Sequence, residues 1–134
     1  MSRQRSETGA EGRVRTKRIY RAARNSDGKR ILVDRIWPRG MSKDRARLDA
    51  WMRDIAPSDG LRTWFHEHAG QWDEFKQRYF AEIEANHDAA AALSDAVREG
   101  VVTLLFASAD EERNNAVALR EYLLGGPGVR ELSA

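Results

Sequence analysis

The sequence predicts an α/β fold, with a small and mostly parallel sheet of about three strands packed against about five helices. Three observations carry this reading. Val101 to Ala107, VVTLLFA, is a continuous apolar run, as expected for a central strand covered on both faces. Val14 to Tyr20, VRTKRIY, alternates β-branched and aromatic residues with charged ones, which marks a strand with one wet face. Elsewhere the apolar residues recur at helical spacing. The order strand, strand, four helices, strand, helix implies a sheet covered by helices and not a bundle.

Each element has a local reason. Residues 1–12 are polar and aperiodic and are expected to form a disordered tail, ahead of a single domain over 13–124 and a C-terminal tail over 125–134. Asn25-Ser26-Asp27-Gly28 is a turn signal after the first strand. Lys29 to Ile36 reads as a buried strand, although its connection to the first is short for a parallel crossover, so the direction of the first strand stays open. Pro38 removes a donor and Gly40 permits a positive φ, which ends that strand. Ser42 then caps a predicted helix carrying Leu48, Trp51, Met52 and Ile55, stopped by Pro57. Ser58 caps a second, with Leu61, Trp64 and Phe65 on one face. After Gly70, Trp72, Phe75, Tyr79 and Ile83 mark a third. Asp88 opens a fourth, with Ala89, Ala92, Leu93, Ala96 and Val97 as its apolar face and Gly100 closing it. Asp110 is expected to cap the last helix, which carries Ala116, Leu119, Tyr122 and Leu123.

Composition bounds the function. A chain of 134 residues, 41% hydrophobic and 33% charged, can bury a core as one domain without disulfides or a structural metal. The 23 Lys plus Arg against 21 Asp plus Glu give a formal charge of +2, too small for a general nucleic-acid binder. The charge is unevenly spread: Arg13 to Arg47 is basic, and acids gather from Asp49 to Glu84. There is no cysteine, so no disulfide, thiolate metal site or Cys nucleophile is available. With no apolar run long enough to span a bilayer and no signal-peptide core, the expected location is the cytoplasm and no membrane partner is expected.

The residues that can carry chemistry fall in two loops, 34–43 and 108–115, both leaving the carboxyl ends of strands, where open α/β sheets bind ligands. Arg35, Arg39 and Lys43 supply cationic donors suited to phosphate or carboxylate. Gly40 lets the backbone approach a ligand, Trp37 offers a stacking face, and Asn114 can orient a substrate group. Asp34 and Asp110 are the candidate acid–base residues. Each position also has a purely structural reading. Asp34 beside Arg35 reads equally as an ion pair at a strand end, Arg39 as a ligand of helix C-terminal carbonyls, Trp37 as packing and Asp110 as an N-cap. His66 and His68 lie two apart and so do not share a helix face, and no third ligand is visible, so no metal is expected. No GxGxxG, P-loop or GxSxG occurs, and no cofactor is expected.

KRIY at Lys17 to Tyr20, VDRIWPRGMSK at Val33 to Lys43, IAPS at Ile55 to Ser58, LRTWF at Leu61 to Phe65, and LLFASADEERNNAVALREYL at Leu104 to Leu123 resemble the YeaO-like bacterial proteins, within the larger group called domain of unknown function 488. The W..F...Y run from Trp72 to Tyr79 belongs to the same resemblance, which spans nearly the whole chain between the tails. It implies a compact bacterial α/β domain whose marked regions are the Asp34–Gly40 loop and the loop after the last strand. It implies no reaction. Relatives often carry an Asn-His pair where this chain has Asn114-Asn115, and an asparagine cannot replace a histidine as acid or base. The leading reading is an enzyme-like domain that binds a phosphorylated or otherwise anionic small molecule at these loops. The alternatives are a non-catalytic nucleic-acid or nucleotide binding module using Arg15, Lys17, Arg18 and Arg21, and a protein-interaction adaptor with an exposed apolar patch.

Overall fold

The computed structural model describes residues 10–125, so the expected tails lie outside the described residues except at their inner edges. A four-stranded sheet, β1 (Val14–Arg18), β2 (Lys29–Leu32), β3 (Ala50–Trp51) and β4 (Val102–Phe106), runs in the order β1-β4-β2-β3 with every pairing parallel. The α-helices are α1 (Ala10–Arg13), α2 (Lys43–Ala46), α3 (Asp59–Glu67), α4 (Trp72–Ala85), α5 (His87–Glu99) and α6 (Asn115–Leu123). Among the described residues no helix is long and apolar enough to cross a membrane.

The most apolar run becomes the central strand, and all five residues of β4 are buried. Its position settles the direction of β1. The first two strands are parallel but not adjacent, because β4 lies between them. The connecting residues 19–28 can span roughly 33 Å, about twice the ~17 Å of a five-residue strand, so a helix is not needed for the return.

Successive side chains of β4 divide the core. Val102, Leu104 and Phe106 pack with α3, α4, α5 and α6 in the larger layer. Leu105 packs on the other face with Ile19, Leu32, Met41 and Ala46.

Three expectations from the sequence are corrected. Lys29–Ile36 is not strand throughout. The β2 pairing ends at Leu32, Val33 N adds one more bond to Leu105 O (3.1 Å), and Ile36 is 58% exposed. The helix expected through Leu48, Trp51, Met52 and Ile55 is also absent. Ser42 caps only the single turn of α2, and Arg47 closes it in the left-handed region (φ 48°). Backbone pairing with β2 then takes over: Asp49 N donates to Arg30 O (2.8 Å) and Met52 N to Leu32 O (2.9 Å). Leu48 and Trp51 face the smaller layer and Met52 and Ile55 the larger, so a short strand satisfies the apolar residues that spacing alone assigned to a helix. In α5, Ala92 is exposed while Leu93 and Ala96 are buried.

A buried ion pair ties the first half together. Asp27 and Arg30 are each only 4% exposed. Arg30 donates to Asp27 Oδ2 (2.6 Å) and reaches the carbonyl of Ala46 from both Nε (3.0 Å) and Nη2 (2.7 Å), capping α2. Lys17 donates to both oxygens of Asp27 (2.8 and 3.1 Å), and Arg24 N to Oδ2 (3.1 Å). Burial alone would raise the Asp27 pKa, but these donors outweigh it and hold the carboxyl below its usual range. Gly28 follows with φ +66°, and a Cβ there would lie 2.2 Å from Val101 O, the carbonyl that accepts from Lys29 N at 2.9 Å.

Two stability predictions follow from this corner. Asp27→Ala strands Arg30 without its carboxylate and is expected to cost about 3–5 kcal/mol in denaturant unfolding. Gly28→Ala combines a left-handed φ with a backbone collision and is expected to cost at least about 1–3 kcal/mol. Unfolding midpoints equal to wild type would refute each in turn.

Candidate functional site

The sheet order places a crevice between the ends of β2 and β4. After β2 the chain turns through 33–42 towards α2 and β3, whereas after β4 it turns through 107–114 into α6, which packs on β1 and β4. Neighbouring parallel strands whose onward connections depart to opposite sides leave room beyond their carboxyl ends. A cleft of about 450 Å³ opens there, lined from the loop after β2, from α3 and from the loop after β4.

Asp34 sits where these parts meet. Its Oδ2 accepts from Ala107 N (2.9 Å) at the end of β4, and its Oδ1 accepts from Asn115 Nδ2 (3.0 Å) at the start of α6. Asn115 Nδ2 also donates to Val33 O (2.9 Å). Burial raises the Asp34 pKa, and the two hydrogen bonds and the charge of Arg62 only partly offset it. Its backbone carbonyl accepts from Trp51 Nε1 (2.7 Å), fixing the loop to β3.

The other sequence candidates divide into two groups. Arg35, Trp37, Arg39 and Asn114 line the cleft with Asp34; Gly40, Lys43 and Asp110 do not. Arg35 is held by the carbonyls of Ala56 (3.2 Å) and Pro57 (3.3 Å), with Asp59 at 3.9 Å. Trp37 donates Nε1 to Met41 O (2.7 Å) and meets Trp51 edge-on, with ring centroids 5.3 Å apart. Arg39 is exposed and its side chain makes no hydrogen bond or ion pair with the described residues; its carbonyl accepts from Tyr20 Oη (2.7 Å), pinning the loop. The carbonyl-capping role considered for Arg39 belongs to Arg30. Gly40, with φ +75°, shapes a turn in which Met41 N donates to Pro38 O (3.3 Å). Lys43 is exposed at the first position of α2.

The last helix begins later than expected, and its cap is Asn114, not Asp110. Asn114 Oδ1 accepts from Val117 N (2.9 Å) while its Nδ2 donates to Asp110 O (2.8 Å), so this buried side chain is committed to the backbone. Asp110 accepts from Glu112 N (3.0 Å) and Arg113 N (3.1 Å), and these bonds hold its carboxyl below the usual range.

Sequence reasoning did not select Arg62, His66 or Arg113, which also line the cleft. Arg62 approaches Asp59 at 3.8 Å, while the exposed guanidinium of Arg113 makes no hydrogen bond or close ion pair with the described residues and acts on Asp110 through its charge alone. Arg113 lies within the loop already singled out, so its type and position were a usable signal. Arg62 and His66 lie one turn apart on α3, and only the folding of that helix over the strand ends brings them in. His68 is placed differently, stacked on Trp64 with centroids 4.7 Å apart.

A small parallel α/β domain with a cation-lined cleft beyond its strand ends is the class of protein this geometry defines. The chain belongs to the DUF488 family, matching over residues 13–127 the group described as the inactive DUF488-N3 subclade. It is 42% identical over 117 residues to an uncharacterised protein of Mycobacterium tuberculosis strain H37Rv, covering 86% of this chain and 97% of that one. It is 37% identical over 110 residues to the uncharacterised protein YeaO of Escherichia coli, covering 82% and 96%. No solved structure matches it.

Asp34 generates a pH prediction. With its folded pKa raised above the unfolded value of about 3.9, the native state keeps a proton that the unfolded chain has released. Stability contributed by this group is therefore greatest at acid pH and declines as pH rises through that window. The wild type should lose stability relative to Asp34→Asn as pH rises above the unfolded pKa of about 3.9, read from denaturant unfolding across pH. A difference that is flat, or that grows in the wild type's favour, would contradict it.

Proposed function

We propose that the cleft binds a small anionic molecule, through a phosphate or carboxylate, and does not transform it. The observation that carries this reading is that Arg39 and Arg113, on the loops after β2 and β4, line one cleft; among the described residues neither guanidinium is held in a hydrogen bond or close ion pair, and Arg113 feels only the charge of nearby Asp110. Arginine presents a planar fork of donors that matches phosphate or carboxylate. Arg62 and His66 add donors from α3. Asp34 is half-buried and hydrogen-bonded by Ala107 and Asn115, so it does not cancel Arg39 in a closed ion pair.

Two points favour binding without turnover. Asn115, the partner of Asp34, has an amide that does not titrate, so the pair lacks a second proton carrier. The group to which the chain belongs is described as inactive. The nucleic-acid reading draws less support, because its cations are engaged. Lys17 is paired with Asp27 and Arg21 with Glu111, while Arg15 and Arg18 donate to the carbonyls of Ser26 and Ser108. An adaptor surface has little to rest on, since Ile36 is the one large hydrophobic residue exposed among the described residues.

Thermal unfolding with inorganic phosphate and sulfate tests the reading. A ligand that binds the folded state raises the melting temperature, by about 2.7 kcal/mol of added stability at a hundred times its Kd. The wild type should shift, and Arg39→Ala and Arg113→Ala should each weaken the response by roughly tenfold in affinity, as for loss of a hydrogen bond to a charged group. No shift with either anion up to tens of millimolar, or equal shifts in wild type and both variants, would sink it.

A further inference from the structure

We infer that the molecule this cleft accommodates is a ring-bearing organic phosphate, of the size of a nucleoside monophosphate, whose flat apolar part lies against the wall formed by Ile36, Trp37 and Phe65. The inference rests on the anion-site reading and specifies the rest of the ligand.

Size is the first argument. A cleft of about 450 Å³ is far larger than a bare phosphate needs. At a water's share of about 30 Å³ it has room for about fifteen waters, and it falls within the range of small-molecule sites. A phosphate alone would leave most of the lining wet.

The lining is the second. Apart from its cations, the cleft is walled by Ile36, Trp37, Pro57, Phe65 and Phe75. Ile36 is 58% exposed, in a chain that otherwise keeps its large hydrophobic residues covered among the described residues. The strand pattern that would have buried it stops at Leu32, and the chain instead leaves Ile36 at the cleft. An apolar side chain left in water beside cationic donors matches a molecule with both characters.

Rigidity is the third. Trp37 is fixed by its bond to the Met41 carbonyl and its edge contact with Trp51. Phe65 stacks on Phe75, with centroids 4.3 Å apart, and touches Trp72 at 5.8 Å. Ring planes held in this way suit a flat partner better than a flexible chain, because little side-chain entropy remains to be lost. The exposed guanidinium groups of Arg39 and Arg113 are themselves flat and can lie over a ring as well as hold a phosphate.

Calorimetric titration of the full chain separates the parts of the claim. The probes are inorganic phosphate, ribose 5-phosphate, octyl phosphate, phenyl phosphate, adenosine and the four common ribonucleoside monophosphates. At least one ring-bearing phosphate is expected to bind about tenfold more tightly than ribose 5-phosphate and octyl phosphate, the scale of one stacking contact. Ile36→Ser, at a position 58% exposed, should remove most of that advantage by weakening the ring-bearing phosphate far more than ribose 5-phosphate, with the unfolding midpoint checking that the fold is kept. If ring-free phosphates bind as tightly as every ring-bearing one, the ring assignment is overturned while the anion site stands. If adenosine binds as tightly as its monophosphate, or nothing binds at all, both readings fall.

Discussion

The carboxylate of Asp34 is the joint on which the cleft depends. One oxygen is held by the backbone at the end of the central strand and the other by the first side chain of the last helix. Three separate stretches of chain are thereby fixed at one point. The burial that makes this anchor rigid also makes the charge costly, which is why the carboxyl departs upwards from its ordinary range despite two donors. The Asn115 amide that donates to it also donates to the Val33 carbonyl, so one side chain fixes both the carboxylate and the strand end before it.

The cations differ in how they are held. Arg30 is buried and spends its donors on Asp27 and on the carbonyls that end α2. Arg18 and Arg35 are spent on loop carbonyls, and Arg21 on Glu111 at the surface. Among the arginines that line the cleft, Arg35 and Arg62 have an acidic neighbour in Asp59, whereas Arg39 and Arg113 make no hydrogen bond or close ion pair with the described residues. An unpaired guanidinium in water is ordinary by itself, so their weight comes from sharing one concavity with an anchored carboxylate and a set of ring planes.

Much of this was legible in the sequence. The VVTLLFA run gave its place at the centre of the sheet through its lack of polar alternation, and the Ser58 cap and the Trp72–Ile83 spacing located α3 and α4. The cleft's position followed from where Asp34 and Ser108 fall relative to strand ends. What failed had physical causes. Leu48, Trp51, Met52 and Ile55 carry helical spacing, yet a two-residue strand and a tight turn use the same residues once β2 offers its free edge. Asp110 and Asn114 are both good caps, and only the three-dimensional path of the loop decides between them. Arg30 looked like any charged strand residue, because nothing local shows that Asp27 and the end of α2 converge on it. Arg62 and His66 could not be assigned to the cleft without knowing how α3 lies over the sheet.

The division of the core by β4 has a dynamic consequence. Among the described residues one layer contains seventeen buried residues and the other five. The thinner layer, which holds Met41 and Ala46 and is flanked by Trp37, buries fewer apolar side chains and so has less to lose by opening. Phe65 and Phe75 belong to the thick layer and Trp37 to the thin one, so the cleft runs along the seam between them. An occupant touching both walls would act as mortar, making the opening of the weaker layer contingent on its own departure.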